Sequence, residues 1–267
     1  MPDRSPLLDS RFVESGGQTV HYLQTTAPAR PDRPPVVLVH GFASCRYMAP
    51  LALRLAPDVA VYAPDLPGFG RSPNPPRGLH VEGLADALAD WMTAVGIDRA
   101  VHVANSFGGQ ILVELAVRHP DRVDSLVLQG LTGDPLTQDP VDQTLRWLIN
   151  ALTEPPAMRW GILKHYDDFG VRQLMTSFGD LLRQPVDARL LKVQAPALVV
   201  RGTEDEIMTA AWARSAAELL PRGRLIEMPG AAHTLNYSHS EPFARMIRGF
   251  LGFGPHPGGA EAVSGAS

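Results

Sequence analysis

The sequence contains a single cysteine, Cys45, among its 267 residues. One cysteine cannot form an internal disulfide, and it excludes a metal or redox site built from several cysteines. No apolar run approaches the roughly 20 residues that a helix needs to cross a bilayer. Residues 1–10 also lack the basic and then apolar pattern of a signal peptide. The sequence therefore predicts a soluble cytoplasmic protein with no membrane partner.

An excess of one charge sign is also missing. The chain has 24 basic and 28 acidic residues and a formal net charge of −4, and its only lysines are Lys164 and Lys192. This balance gives no basic surface of the kind that binds nucleic acid. The histidines are scattered, with no His-Glu-x-x-His motif that would predict a metal site. We expect no nucleic-acid partner, no metal and no cofactor, and the oligomeric state stays open between monomer and homodimer.

Short apolar runs alternate with helical patterns along most of the chain. Two short strands, 11–14 and 18–24, flank Ser15-Gly16-Gly17 and predict a hairpin. Continuous apolar runs are typical of parallel strands buried on both faces. Such runs cover residues 36–39, 59–63, 100–104, 123–128, 197–200 and 225–228. The alternation predicts an α/β fold with a mostly parallel sheet, and one such domain is ordinary at this length.

One segment, 132–187, interrupts this alternation with helical spacing and no strand. It predicts a small helical cap inserted into a core formed by residues 1–131 and 188–252. Residues 253–267, rich in glycine, serine and alanine, are predicted to be disordered. Six cap side chains could line an apolar substrate pocket or simply pack the cap onto the sheet. They are Trp147, Trp160, Leu163, Tyr166, Phe169 and Met175.

Ser106 lies where the strand 100–104 should turn sharply into a helix. Ala104 and Gly108 stand two residues before and after it, where a tight turn tolerates almost no side chain. This spacing predicts a nucleophile elbow, in which strained backbone raises a serine hydroxyl above the sheet. At the amino end of the following helix, free N–H groups favour negative charge on a bound oxygen.

An acidic residue and a histidine follow Ser106, each after its own predicted strand. Asp205 comes after strand 197–200, with Glu204 and Glu206 as rival carboxylates, and His233 comes after strand 225–228. A serine hydroxyl needs a base to remove its proton, and the base needs a carboxylate to fix its tautomer. The order of these residues predicts that Ser106, Asp205 and His233 form a catalytic triad. Asp134, next to Pro135, is an alternative acid or a structural residue that begins the cap.

The first parallel strand ends in His40-Gly41-Phe42. Its loop can offer a backbone N–H beside the elbow, so Phe42 and Phe107 are the predicted oxyanion-hole donors. His40 could be mistaken for a catalytic base. Its place directly before Gly41 favours a structural hydrogen bond that shapes the loop.

A glycine pair, Gly68-x-Gly70, follows the next strand and superficially suggests dinucleotide binding. That motif requires a third glycine and the start of a helix, and Pro73 stands there instead. The first parallel strand carries no such loop either. The pair therefore predicts a turn and no nucleotide cofactor.

These segments, taken in order, closely resemble the α/β-hydrolase superfamily between about residues 11 and 252. The matching motifs are His40-Gly41-Phe42, Asp65-Leu66-Pro67-Gly68-Phe69-Gly70-Arg71-Ser72, Ala104-Asn105-Ser106-Phe107-Gly108-Gly109, Gly202-Thr203-Glu204-Asp205 and Ala232-His233. The resemblance implies an eight-stranded sheet with a cap after the sixth strand. It also implies Ser106 as nucleophile, His233 as base and Asp205 as acid. A serine at this position, in place of aspartate, argues against haloalkane dehalogenase and epoxide hydrolase relatives.

The resemblance implies a serine hydrolase that cleaves a small to medium, largely apolar carboxylic ester, thioester or lactone without a cofactor. The elbow Asn105-Ser106-x-Gly108-Gly109 is also similar to that of meta-cleavage-product C–C hydrolases. Those enzymes usually carry a tryptophan directly after the catalytic histidine, where Thr234 stands here. C–C hydrolysis of a ring-cleavage product is therefore the alternative. A non-catalytic ligand-binding protein on the same fold is a further alternative, which would predict a damaged triad.

Overall fold

Eight strands form one sheet in the computed structural model, which describes residues 8–26, 32–42, 44–135 and 170–253. The spatial order is β1-β2-β4-β3-β5-β6-β7-β8. The strands are β1 (Leu8–Ser15), β2 (Gln18–Thr25), β3 (Val36–Val39), β4 (Val61–Pro64), β5 (Ala100–Asn105), β6 (Val123–Gln129), β7 (Ala197–Gly202) and β8 (Gly223–Met228). β2 runs antiparallel to both β1 and β4, and all other neighbours are parallel. The predicted eight-stranded, mostly parallel sheet is confirmed.

Helices cover both faces of this sheet. The helices of the described residues are α1 (Ala49–Leu55), α2 (Val81–Ala94), α3 (Phe107–Arg118), α4 (Val171–Arg183), α5 (Val186–Leu190), α6 (Ala210–Leu219), α7 (Leu235–Ser238) and α8 (Ser240–Phe250). Leu84 of α2, Ile111 of α3 and Trp212 of α6 belong to one hydrophobic core. Leu51 of α1 and Phe243 of α8 belong to the other. Two cores on opposite faces are the layered arrangement expected of an α/β fold.

Burial on both faces explains why the parallel strands are continuous apolar runs. In β3, Val37 and Val39 lie in one core, and Val36 and Leu38 lie in the other. Successive side chains of a strand point to opposite faces, so a strand between two cores needs an apolar residue at every position. Burying each such side chain contributes about 1.5–3 kcal/mol to stability.

The hairpin between β1 and β2 is confirmed. Ser15 pairs with Gln18, and the two residues between them, Gly16 and Gly17, have φ values of 56° and 76°. A two-residue hairpin turn of this type requires positive φ at both positions, which glycine adopts without a steric penalty. The sequence Ser-Gly-Gly therefore fixes both the turn and the register of the two strands.

β4 begins two residues later than the predicted strand 59–63. The amide groups of Asp58 and Val59 both donate to the carbonyl of Leu55 (2.9 and 3.2 Å). Residue 59 therefore belongs to the turn that closes α1, although its apolar side chain is buried like that of a strand residue. The strand itself spans Val61–Pro64.

The predicted cap, residues 132–187, is described only near its two ends. Its described helical residues are those of α4 and the first two residues of α5, so the cap boundaries stay a prediction. Five predicted pocket residues lie outside the described part: Trp147, Trp160, Leu163, Tyr166 and Phe169. The sixth, Met175, lies on α4 and is 68% exposed. Within the described residues, none of the helices has the length and apolar character needed to span a bilayer.

Two side chains of α4 attach it to the start of α2. The amide of Gln173 accepts from the N–H of Leu79 and donates to its carbonyl, both at 2.7 Å. The carboxylate of Asp180 accepts from the N–H of Val81 (2.9 Å) and from Nδ1 of His80 (2.8 Å). Helix α2 has no side-chain cap from its own N-cap residue. Its first turn is therefore capped by a carboxylate from another helix, where the helix dipole favours negative charge.

We expect Asp180→Ala to lower the free energy of unfolding by about 1–2 kcal/mol, because α2 loses its cap. The hydrogen bond with Asp180 raises the pKa of His80 above its ordinary value of 6.5. A raised pKa in the folded state adds stability below the unfolded pKa, and this stability is lost as pH rises through the folded pKa. Urea denaturation should therefore give a larger deficit at about pH 5.5 than at about pH 8.5. Equal deficits would show that the ion pair contributes nothing.

Candidate active site

Ser106 occupies a strained turn between β5 and α3. Its φ and ψ are 60° and −127°, and no other non-glycine residue in the described ranges has a positive φ. Such a backbone costs about 1–3 kcal/mol and persists only where its surroundings hold it. The Ser106 N–H donates to the carbonyl of Gln129 on β6, and its own carbonyl accepts from Gly109, both at 2.9 Å. The predicted strand–turn–helix geometry is therefore present.

The small residues predicted around the elbow allow the loop after β3 to approach it. A Cβ on Gly108 would lie 2.8 Å from the carbonyl oxygen of Val39. A Cβ on Gly41 would lie 2.9 Å from Cβ of Ser106. Ala104, two residues before the serine, is fully buried. A larger side chain at either glycine would push the loop after β3 away from the serine.

Asp205 and His233 form a buried hydrogen-bonded pair. Nδ1 of His233 lies 2.9 and 3.1 Å from the two carboxylate oxygens of Asp205, and the residues are 4% and 2% exposed. Oδ1 of Asp205 also accepts from the N–H groups of Ile207 and Met208, both at 2.9 Å. With its proton held on Nδ1, a neutral imidazole presents Nε2 as its basic nitrogen. The pair therefore has the tautomer that a general base needs.

The rival carboxylates lie elsewhere. Glu204 and Glu206 are exposed on either side of the buried Asp205. Asp134 accepts a hydrogen bond from the hydroxyl of Thr209 (3.2 Å), and Thr209 also caps the first turn of α6. Among the described residues, Asp205 is the one whose carboxylate accepts a hydrogen bond from Nδ1 of His233.

The loops that carry the acid and the histidine are bonded to each other through their backbones. Thr203 and Glu204 donate to the carbonyls of Met228 and Ala231, both at 2.9 Å. The N–H of Gly230 donates to the Thr203 hydroxyl (2.8 Å). These bonds continue the pairing of β7 and β8 into the two loops. They therefore keep a fixed distance between the backbones of Asp205 and His233.

The predicted oxyanion-hole residues, Phe42 and Phe107, lie together beside the serine. Their rings stack with centroids 4.8 Å apart and an interplanar angle of 19°. Phe107 is the first residue of α3 and is fully buried. Phe42 directly follows Gly41, which packs against Ser106. The amino end of α3 and the loop after β3 therefore meet at the serine, and helix amino ends favour developing negative charge.

The predicted structural role of His40 is confirmed. Its Nδ1 donates to the carbonyl of Gly41 (2.7 Å), and its Nε2 accepts from the N–H of Leu66 (3.1 Å). Burial lowers the pKa of His40 below its ordinary value. A second buried histidine, His102, contacts Sδ of Met92 (3.4 Å), and burial lowers its pKa to about 3. Both rings are therefore neutral supports of the fold.

One group of potential metal ligands occurs in the described residues: His21, Cys45 and Asp65. The carboxylate of Asp65 accepts from the N–H of Cys45 (2.6 Å), from the N–H of Arg71 (2.9 Å) and from Nδ1 of His21 (2.7 Å). Burial raises the pKa of the Cys45 thiol well above its ordinary value, whereas a metal ligand must be a thiolate. These three hydrogen bonds to Asp65 are those of a structural junction that joins β2 to the loops after β3 and β4.

The predicted turn after β4 is confirmed. Gly68 and Gly70 have φ values of 84° and 52°. The Phe69 N–H donates to the carbonyl of Leu66 (2.9 Å), and the Ser72 N–H donates to that of Phe69 (3.0 Å). These successive turns bring the N–H of residue 71 to the carboxylate of residue 65. The glycine pair shapes this loop.

Gly130, which follows β6, lies directly against the histidine and the acid. Its φ is 60°, and a Cβ there would lie 2.8 Å from Cε1 of His233 and 3.3 Å from Oδ2 of Asp205. We expect Gly130→Ala to displace the imidazole and to lower turnover of an ester substrate by about 100-fold. Gly230→Ala is the matched control, because its φ of 69° gives similar backbone strain and no atom lies within 4 Å of the added Cβ. Equal activity of the two variants would contradict this account of Gly130.

The sheet and the site together define a hydrolase of the α/β type, and the chain belongs to the family described as "Alpha/beta hydrolase family", whose profile matches residues 36–246. This membership confirms the resemblance inferred from the motifs. It establishes the class of enzyme and leaves the substrate open.

Similar proteins include an esterase and a semialdehyde hydrolase. The chain is 32% identical over 244 residues to pimeloyl-[acyl-carrier protein] methyl ester esterase of Chromobacterium violaceum, covering 80% of this chain and 92% of the relative. It is 27% identical over 278 residues to 2-hydroxymuconate semialdehyde hydrolase of Pseudomonas putida, covering 94% and 96%. The crystal structure of E-2-(acetamidomethylene)succinate hydrolase matches with a TM-score of 0.78 at 22% identity, covering 92% and 100%.

Proposed function

We propose that the protein is a serine hydrolase that cleaves a small to medium, largely apolar carboxylic ester, thioester or lactone through an acyl-enzyme on Ser106. The observation that carries this proposal is the buried pair of Asp205 and His233, with 2.9 Å between Oδ2 and Nδ1. It lies at the carboxyl edge of the sheet, as does the strained serine. The similarity to a methyl ester esterase over 80% of the chain supports ester chemistry.

In this mechanism Nε2 of His233 takes the proton of the Ser106 hydroxyl as Oγ attacks the substrate carbonyl. Asp205 stabilises the resulting imidazolium through Nδ1. The backbone N–H groups of Phe42 and Phe107 hold the oxyanion of the tetrahedral intermediate, and each such donor typically contributes about 10²–10³ in rate. His233 then returns its proton to the leaving alcohol, and the carbonyl of the acyl-enzyme re-forms.

Water completes the second half of the reaction by the same route. His233 removes a proton from water as its oxygen attacks the acyl carbon, and a second tetrahedral intermediate forms. Collapse of this intermediate breaks the bond to Oγ of Ser106, which recovers its proton from His233. An ester yields a carboxylic acid and an alcohol, a thioester yields a carboxylic acid and a thiol, and a lactone yields a single hydroxy acid. The reaction consumes one water molecule and needs no cofactor.

C–C bond hydrolysis is the second candidate, and the similarity to 2-hydroxymuconate semialdehyde hydrolase over 94% of the chain favours it. The elbow sequence from Asn105 to Gly109 supports it further. Thr234, buried directly after His233, occupies the position at which the C–C hydrolases usually carry tryptophan. We therefore place this reaction second. A non-catalytic protein would require a damaged site, and the pair of Asp205 and His233 argues against that alternative.

A substrate panel separates these reactions. We expect kcat/KM for a short p-nitrophenyl ester, or for a methyl ester of a medium-length acid, to exceed that for a dienoate ring-cleavage product by about 100-fold or more. The dienoate is followed by loss of its own absorbance, and the esters by release of phenolate or alcohol. Turnover of the dienoate alone would overturn the ester proposal and would support the C–C hydrolase.

A further inference from the structure

The side chain of Asn105, the residue before the serine, is used on both sides by hydrogen bonds within the protein. Its Oδ1 accepts from the hydroxyl of Tyr47 (2.7 Å), and its Nδ2 donates to the main-chain carbonyl of His233 (3.1 Å). Asn105 is 2% exposed. Polar groups at this depth are costly unless they are paired, so the amide is held in one orientation.

Tyr47 extends this connection to the loop that carries Phe42. The Tyr47 hydroxyl accepts from the N–H of Gly41 (2.8 Å) while it donates to Asn105. Gly41 also packs against Ser106. A continuous chain of three hydrogen bonds therefore runs from the N–H of Gly41 through Tyr47 and Asn105 to the carbonyl of His233. Hydrogen bonds in such a chain polarise and strengthen one another.

Two further side-chain amides bond to members of this hydrogen-bonded chain. The side-chain amide of Gln129 also donates to the carbonyl of His233, and Gln129 is the strand partner of Asn105 on β6. The amide of Asn236, just after the histidine loop, donates to the carbonyl of Tyr47 (3.3 Å). The loop after β3 and the loop after β8 are therefore connected by side-chain amides that cross the carboxyl edge of the sheet.

We infer that Asn105 and Tyr47 are positioning residues that hold the loop after β3, which carries Phe42, and the loop after β8, which carries His233, in fixed positions around Ser106. This inference rests on the proposed function. The two loops follow β3 and β8, which are separated by three strands in the sheet. Catalytic groups must be held within about 0.5 Å of their productive geometry. The hydrogen-bonded chain supplies that constraint directly from the residue next to the nucleophile.

Two variants interrupt the chain at different points. Tyr47→Phe removes the hydroxyl that joins Gly41 to Asn105 and keeps the ring. Asn105→Leu keeps most of the side-chain volume and removes the bonds to both Tyr47 and His233. Tyr62→Phe is the matched control, because its hydroxyl accepts from Gln24 (3.2 Å) on the antiparallel side of the sheet.

The experiment measures kcat and KM for a p-nitrophenyl ester, together with the rate at which a fluorophosphonate labels the serine. We expect kcat and the labelling rate to fall by about 10-fold to 100-fold in both variants, with KM changed by less than about twofold. The double variant should fall by less than the product of the two single effects, because both act through one chain. Tyr62→Phe should match the wild type.

Two outcomes would overturn the inference. One is a Tyr47→Phe variant whose kcat and labelling rate equal those of the wild type while its melting temperature is lower. That result would mean that the hydrogen-bonded chain contributes to stability alone. The other is a double variant whose effect equals the product of the two singles. If the wild-type enzyme is neither active nor labelled, the proposed function fails instead. NMR of the histidine rings then decides the positioning role, because Tyr47→Phe must shift the His233 signals and Tyr62→Phe must not.

Discussion

Ser106→Ala is expected to lower kcat for an ester substrate by about 10⁴-fold or more while leaving the fold intact. The substitution removes the atom that forms the acyl-enzyme, and the remaining site can only bind the substrate and stabilise an oxyanion. The Ser106 side chain makes no capping hydrogen bond to α3, so the helix loses no such contact. We expect the melting temperature to change by no more than a few degrees.

Ser125→Ala is the matched control for this experiment. Ser125 is a serine of β6, 4% exposed, and its hydroxyl contacts the carboxylate of Asp124 (3.4 Å). We expect this variant to keep activity within about twofold, as do most changes that leave the site untouched. More than about a tenth of wild-type activity in purified Ser106→Ala would contradict the assignment of the nucleophile, since loss of an attacking group costs far more than tenfold.

Asp205→Asn is expected to lower kcat by about 10⁴-fold. The carboxylate accepts a hydrogen bond from the Nδ1–H group of His233. It is itself held in place by the N–H groups of Ile207 and Met208. An amide of the same shape can donate where the carboxylate only accepts, so it favours the wrong tautomer of the imidazole and cannot stabilise the imidazolium. The effect should therefore appear in kcat with little change in KM.

The neighbouring acids provide the controls for Asp205. Glu204→Gln and Glu206→Gln remove the same charge from exposed positions on either side of it. We expect both variants to keep activity within about twofold, because exposed charges are strongly screened. Near-full activity of Asp205→Asn would show that another carboxylate serves the histidine, and Asp134→Asn would then be the variant to test.

The inner strands β3 to β7 could be predicted from the sequence because they are largely buried between two cores and are mostly apolar. The location of Ser106, Asp205 and His233 at one edge of the sheet could be predicted because each follows a strand, and the carboxyl ends of parallel strands share one edge. The start of β4 was wrong by two residues. Val59 is apolar and buried, yet its backbone bonds to the preceding helical turn, and composition does not reveal that choice.

The hydrogen-bonded chain through Asn105 could not be predicted, because its partners are far apart along the sequence. Tyr47 is 58 residues before Asn105, and His233 is 128 residues after it. Gln173 and Leu79, which join α4 to the core, are 94 residues apart. The available signal was a polar residue at the buried carboxyl end of a mostly apolar strand, as in Asn105 of β5 and Gln129 of β6. Such a residue requires a partner, but the sequence does not name it.

The predicted pocket residues show a different limit of sequence reasoning. Helical spacing identifies which side chains share a face, but it does not tell which element that face contacts. Met175 was predicted to line the pocket and is 68% exposed on α4, whereas Gln173 on the same helix is buried and bonded to Leu79. Gln173 therefore attaches α4 to Leu79, and the pocket role of Met175 stays a prediction.

The most direct test of the central claim is mass spectrometry of the protein after reaction with a fluorophosphonate or with a slowly hydrolysed ester. The claim is that Ser106 is the nucleophile that carries the acyl group. We predict one covalent adduct per chain, located by peptide mapping on Ser106 and absent from Ser106→Ala. An adduct on a different residue, or an active enzyme that forms no adduct with either reagent, would contradict the account.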